Sequence, residues 1–242
     1  MQRSIIQLTF LASFTLGSAW AQQEEPAEGP WSGSLGIGFL NVSGNAESRS
    51  SNLEAKLGYD GEKWHHDMLG RALGQSQNDV STAEAYKLSY TPKYDFSERT
   101  YAFGLLDWNK DLFAAFREQS FQIVGLGRRF IISEKHLLNG EAGVGATQNE
   151  DQLGDRQREF VGRLSGDYTW NISENAQFTQ TLAINFSSSN TFLESVTGLR
   201  TSIAGPLGLS VSYTVRNNSD VLPGTKKTDT WTAINLDYAF GQ

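Results

Sequence analysis

Three histidines are the first residues to test for chemistry, because an imidazole can act as base, proton shuttle or metal ligand near neutral pH. His65 and His66 are adjacent and follow Trp64, while His136 stands alone in a short polar stretch. Two neighbouring imidazoles do not complete a zinc site, so interfacial packing and hydrogen bonding beside Trp64 is the simpler role. A serine, histidine and aspartate unit would need a convergence that their spacing does not supply. Gly125-x-Gly127 has the look of a phosphate loop, but no helix follows to hold an anion at its N-terminus, and glycine in a strand marks a bend or close packing. Asp107, Asp111, Asp151, Asp155, Asp220 and Asp229 fall in or beside the longer connections. They could attract Ca²⁺ or Mg²⁺, but they lack the regular ligand spacing of a calcium loop and read as solvated acidic loops. No catalytic residue, cofactor or metal site is expected.

The charges that do carry a pattern lie within alternating segments. Glu54, Lys56, Asp67, Arg71, Lys87, Glu141, Glu159, Arg163, Asp167, Arg216 and Asp237 each occupy the face opposite the apolar one, with both signs in similar number. On the wall of a barrel such residues would line the lumen, where opposed charges either pair into a plug or border a narrow polar pore. Facing lipid, each would cost ~2 to 4 kcal/mol at the bilayer midplane, so the interior is where they belong.

Strands must position them, since no convincing amphipathic helix of three turns appears between Trp31 and Phe240. Apolar and polar residues instead alternate at period two in twelve runs: 31–42, 51–59, 64–74, 83–94, 100–108, 119–132, 137–147, 159–170, 176–186, 192–204, 207–216 and 230–240. In the last, Ile234, Leu236, Tyr238 and Phe240 share one face and Ala233, Asn235, Asp237 and Ala239 the other. The run 119–132 is ambiguous, with Phe121 and Ile123 on one face and Val124 and Leu126 on the other.

The connections alternate too. Those after the even-numbered runs are tight and rich in turn residues, such as Asp60-Gly61-Glu62-Lys63 and Gly205-Pro206, whereas those after the odd-numbered runs average about nine residues. An even number of strands long enough to cross a bilayer, with short turns at one end and long loops at the other, predicts an all-β fold: a transmembrane, antiparallel, up-and-down β-barrel of about twelve strands. A secreted β-sandwich would alternate as well, but needs no such asymmetry. The aromatics support the barrel, because they collect in two bands. Trp31, Tyr59, Trp64, Tyr94, Phe96, Tyr101, Phe130, Tyr168, Trp170, Phe178, Tyr238 and Phe240 fall toward the short-turn end. Trp108, Phe113, Phe116, Phe121, Phe186, Phe192 and Trp231 fall toward the other.

The domain plan follows. Residues 1–21 carry Arg3, an apolar stretch and an Ala19-x-Ala21 ending, which predicts a cleaved secretory signal peptide. Residues 22–30, with Glu24, Glu25, Pro26 and Glu28, predict a flexible periplasmic tail, and 31–242 the barrel. The chain has 242 residues, no cysteine, 38% hydrophobic residues and a net charge of -7. That composition excludes a helical membrane bundle and a disulfide scaffold, and the acidity argues against a nucleic-acid partner.

Trp31-Ser32-Gly33, Ser43-Gly44-Asn45, Gly125-Leu126-Gly127, Gly143-Val144-Gly145, and the closing stretch from Asp220 through Pro223 and Lys227-Thr228-Asp229 to Leu236–Phe240 resemble the YdiY-like family. That family is described as salt-induced outer-membrane proteins of unknown function. The resemblance spans Trp31 to Phe240 and implies a Gram-negative outer-membrane location, with outer-membrane lipids as surroundings and no catalytic residue. The final strand is similar to the signal by which the barrel-assembly machinery recognises its clients, although Asn235 stands where glycine is usual and Gly241-Gln242 follow the last aromatic. Three functions remain open: a narrow pore for ions or small polar solutes or an envelope salt and osmotic component, a non-conducting structural or surface-interaction barrel, and an outer-membrane enzyme. The histidines, all at the short-turn end, argue against the last.

Overall fold

The computed structural model describes residues 29–42 and 48–241. The segment read as a signal peptide, most of the tail and the Ser43-Gly44-Asn45 motif lie outside the described residues. Twelve strands follow one another: β1 (Trp31–Val42), β2 (Ser48–Asp60), β3 (Trp64–Gln77), β4 (Val80–Asp95), β5 (Thr100–Asp111), β6 (Phe116–Ile132), β7 (His136–Asp151), β8 (Arg156–Ser173), β9 (Ala176–Phe186), β10 (Thr191–Ala204), β11 (Leu207–Asn218) and β12 (Thr228–Phe240). Each pairs antiparallel with its sequence neighbours, and β1 pairs with β12 to close the ring. Trp31 and Phe240 mark one end, here the near end, where Asp60 and Trp64 also lie; the opposite end is the far end.

The outward face is the apolar one. Leu35, Ile37, Phe39, Leu88, Leu106, Leu164, Leu199, Ile234 and Leu236 are all exposed, which in water would be a liability and in hydrocarbon is the stabilising arrangement. At the near end Trp31 packs edge-on against Tyr59 and Trp64 packs at a tilt against Tyr94, forming part of the interfacial band. In β6 the ambiguity is resolved by burial: Phe121 and Ile123 are buried inside, while Val124 and Leu126 are 65% and 59% exposed outside.

Two expectations need correction. First, the strands outrun their apolar patterns. The outward side chains of β6, β7 and β8 become polar beyond Val124, Val144 and Phe160, as with Ser120, Gln122, Gln148 and Arg158, while the backbone ladder continues to Phe116↔Asp151. The hydrophobic period ends at the edge of the belt, but hydrogen bonding does not, so the far-end loops are shorter than expected. The β3–β4 connection is the two-residue turn Asn78-Asp79, with φ of 49° and 60°, the left-handed geometry that matches hairpin twist. Asn78→Val should therefore destabilise the barrel by about 1 to 2 kcal/mol, read as a lower midpoint of chemical unfolding; an unchanged midpoint would contradict it.

Second, Tyr101, Phe121, Phe192 and Trp231 do not belong to the outer bands. They occupy inward positions in β5, β6, β10 and β12, and the first three join Phe103, Leu105, Ile123 and Val161 in a buried cluster inside the barrel. Each fully buried ring contributes roughly 2 to 3 kcal/mol. The Phe121 and Phe192 rings lie 5.7 Å apart, with β6 and β10 four strands apart around the ring. Gly125 and Gly127 face inward opposite Phe103 and Tyr101, and a methyl group on either would run into those rings. The glycine motif is thus a seat for aromatic side chains.

Candidate functional site

The inward face of β4 carries Lys87, and that of β10 carries Glu194. In the ring order these strands are six places apart in either direction, so they are diametrically opposed. Lys87 Nζ nevertheless donates to Glu194 Oε1 at 2.7 Å and lies 3.1 Å from Asp107 Oδ2 of β5. Arg216 of β11 donates through Nε to Glu194 Oε2 at 2.6 Å and through Nη2 to Asn109 Oδ1 of β5 at 3.0 Å. Asn109 in turn donates to Asp107, and the Arg216 guanidinium sits 4.8 Å over the Trp231 ring, which fixes its plane. Lys87, Glu194 and Arg216 are each 8% exposed.

Four strands are therefore joined across the lumen by a strut of two cations and two carboxylates. At ~4.8 Å per strand and ~40° tilt, a circular twelve-strand barrel would be ~24 Å across. A lysine and a glutamate cannot bridge that distance, so the barrel is flattened here. The inward aromatic cluster fills the space beside the strut. Beyond it, toward the far mouth, Gln119 and Asn190 both donate to Asn218 Oδ1, at 3.4 and 2.8 Å, and Asn190 accepts from the Asp220 backbone N–H at 3.2 Å. The connections 187–190 and 219–227 are thereby tied to each other, and β6 is joined to β11 across the lumen. The near half is different: a cavity of about 1260 Å³ opens there among Ser32, Asp60, Asn171, Gln177, Arg200 and Ser202.

The other charges anticipated from sequence also lie on inward positions, in separate groups. Glu54 accepts from Arg71 Nε at 2.8 Å and lies 2.8 Å from Lys56 Nζ. Asp67 accepts from Lys93 at 2.9 Å. Glu141 accepts from the Tyr101 hydroxyl at 2.9 Å and from Ser165 at 3.1 Å. Asp167 accepts from Thr181 at 2.9 Å, and Arg163 donates to Asn185 at 3.1 Å. Asp237 is 4.0 Å from Arg200. Glu159, near the far end, accepts from Ser188 and Ser189 at 2.8 Å each. Of the eleven, only Lys87 and Arg216 belong to the strut. Sequence reasoning missed Glu194 and Asn109 and grouped Asp107, at the end of the run 100–108, with acids in or beside the long loops instead of with the lumen charges. The signal available for Glu194 was a lone acid alternating with Phe192 and Val196 on one face of a membrane strand.

Of the acidic residues in or beside the loops, two cap their own turns: Asp111 accepts from the backbone N–H groups of Phe113 and Ala114, and Asp151 from those of Leu153 and Asp155. The histidines sit at the near end, two of them in aromatic packing. His66 stacks between Trp64 and Tyr90 and hydrogen-bonds the Tyr90 hydroxyl at 2.9 Å. His136, which opens β7 and does not lie in the turn, stacks on Tyr168 and Trp170. His65 is held between Asp60 at 2.9 Å and Asp95 at 3.2 Å.

A closed, all-antiparallel ring of twelve strands with an apolar exterior and a charged interior defines a transmembrane β-barrel with the fold of the outer-membrane porins. Among solved structures, the NanC porin matches with a TM-score of 0.54 at 11% identity, over 86% of this chain and 98% of that one; the KdgM porin is more distant, at 0.47 and 9%. The chain belongs to the family described as "Protein of unknown function, DUF481", whose model matches residues 35–240. It is 28% identical over 225 residues to the uncharacterized protein YdiY of Escherichia coli (strain K12), covering 92% of this chain and 89% of that protein.

Proposed function

We propose that this protein is a narrow, gated pore for ions or small polar solutes in the outer membrane of a Gram-negative cell, closed at rest by the Lys87–Glu194–Arg216 strut. One observation carries the reading: the strut is an ion-paired bridge between diametrically opposed strands, and a purely structural barrel of this size can be filled with apolar side chains at lower desolvation cost. The near cavity supplies the water-filled approach from the periplasm, the signal peptide at 1–21 the export route, and the terminal β12 the contact with the barrel-assembly machinery. The salt or osmotic role belongs to the same reading, since a pore that opens only under stress must be shut otherwise. The placement of His66 and His136 in aromatic packing supports a non-enzymatic barrel.

The test is conductance in a planar bilayer. The unmodified protein should give at most rare, small events, and the double variant Lys87→Ala/Glu194→Ala should give steady channels. Silence from both, across voltages and salt concentrations, would favour the non-conducting structural barrel.

A further inference from the structure

One cation stands on the lipid-facing side of the wall. Arg128 of β6 follows Val124 and Leu126 on the outward face and is exposed, whereas its neighbour Arg129 turns inward over the Tyr101 ring and donates to Asp95 at 2.9 Å. The outward face around Arg128 is apolar along its own strand, with exposed Leu126 before it and exposed Phe130 and Ile131 after it. Other outward cations of this wall, Lys110, Arg156 and Arg158, lie at the far end, where the belt has already given way to polar side chains. Among the described residues Arg128 makes no hydrogen bond and no ion pair. A charge held against hydrocarbon is costly unless it is paired or reaches the head-group layer.

The depth of Arg128 follows from its ladder partners. It pairs with Thr100, the first residue of β5 after the near turn, and with Gly140 of β7. It therefore stands at the near boundary of the belt, within reach of head groups. The local fold also leaves open surface beside it. The β6–β7 ladder slips between Arg129 and Ile131, which leaves Phe130 as the extra residue of a bulge, and the Phe130 ring lies over Gly140, where a side-chain carbon would collide with it. Next across the sheet comes Gly166 of β8, where an added carbon would meet only the Asn139 carbonyl, at 3.6 Å. A second exposed guanidinium reaches the same rim, since Arg99 Nη1 donates to the Phe130 carbonyl at 3.4 Å.

The ligand that fits is an anion carried on a hydrocarbon tail. A guanidinium fork matches phosphate oxygens in charge and geometry. A free anion would have to leave its hydration shell to reach the edge of the belt, whereas the phosphate of a lipid is already held at that depth. We propose that Arg128, with Arg99 beside it, holds the phosphate of an anionic phospholipid in the near leaflet, whose acyl chain lies over Gly166 next to the Phe130 ring. This reading rests on the outward wall and not on the strut, so either can fail alone.

The full chain, stripped of lipid in detergent, is titrated with phosphatidylglycerol or phosphatidylcholine, and bound lipid is counted by native mass spectrometry. The parent should hold one phosphatidylglycerol about tenfold more tightly than phosphatidylcholine, and Arg128→Gln should lose that preference while keeping heat-modifiable migration on gels. Arg158→Gln, which removes an outward arginine at the far end, should keep it. Inorganic phosphate in large excess should leave the bound lipid in place. A preference that survives Arg128→Gln would place the lipid elsewhere, and an equal loss in Arg158→Gln would mean diffuse attraction to any surface cation. Displacement of the lipid by inorganic phosphate would make this a site for a free anion; each of these outcomes overturns the proposal.

Discussion

Glu194→Ala should yield a barrel that conducts where the parent is shut, prefers anions, and unfolds more easily. Glu194 is the one group that joins β10 to both Lys87 and Arg216. Without it, the two buried cations Lys87 and Arg216 keep one carboxylate of the strut, Asp107, which pairs with Lys87. Removing one partner from a buried pair costs about 3 to 5 kcal/mol, because the remaining charge has lost its compensation. The cheapest relief is for Lys87 and Arg216 to separate and admit water, which rounds the flattened section and opens the axis. Reversal potentials under a KCl gradient should show anion selectivity, from the net positive charge that Lys87 and Arg216 leave against Asp107 alone. The neutral replacement Lys87→Met/Asp107→Asn/Glu194→Leu/Arg216→Met is the contrasting case. It removes all four charges of the strut together and restores packing, so it should stay closed, at a stability equal to or above the parent's. If Glu194→Ala remains silent, or the neutral quadruple variant conducts, the strut is not the gate.

The second large effect is expected at Gly125. A methyl group there would meet the Ala142 carbonyl, the Gly143 Cα and the Phe103 ring, and two of these three obstacles are backbone and cannot swing aside. Valine adds two more carbons. Overpacking with no rotamer to relieve it should cost about 3 kcal/mol or more, so Gly125→Val should fail to assemble, giving a species without heat-modifiable migration. Gly70→Ala is the control. Its added carbon would meet only the end of the Leu88 side chain at 3.6 Å, an ordinary contact, and the barrel should form normally. Assembly of Gly125→Val at the parental level would disprove the role given to this glycine.

The difference between what the sequence disclosed and what it hid has a physical cause. Alternation reports which face of a strand meets lipid, so strands such as β12, with Ile234, Leu236, Tyr238 and Phe240 outward, were legible directly. Strand limits were not legible where the outward residues turned polar before the ladder ended, as at Glu118 and Arg158. Inward charges could be recognised as inward, because each stands opposite an apolar neighbour. Which charge meets which could not. Lys87 and Glu194 are joined across the section of the barrel, and that junction depends on its flattening, which Phe121, Phe192 and their neighbours bring about. Nothing in a period of two distinguishes an aromatic ring in lipid from one in the lumen, so Tyr101, Phe121, Phe192 and Trp231 were assigned to the wrong side. Nor could pattern show that the β1–β12 pairing stops at Ile37↔Leu236, since both strands alternate beyond it.

The strut also orders events in time. Lys87 and Glu194 are 107 positions apart, as are Asn109 and Arg216, so neither contact can form from a single hairpin or a local meander. Until most of the wall is in place, each of these charges remains hydrated. Their dehydration must therefore come late, after the costly search for long-range strand pairing. A barrel still being inserted is consequently wet along its axis, and expulsion of that water, rather than strand formation, is the step that completes the molecule.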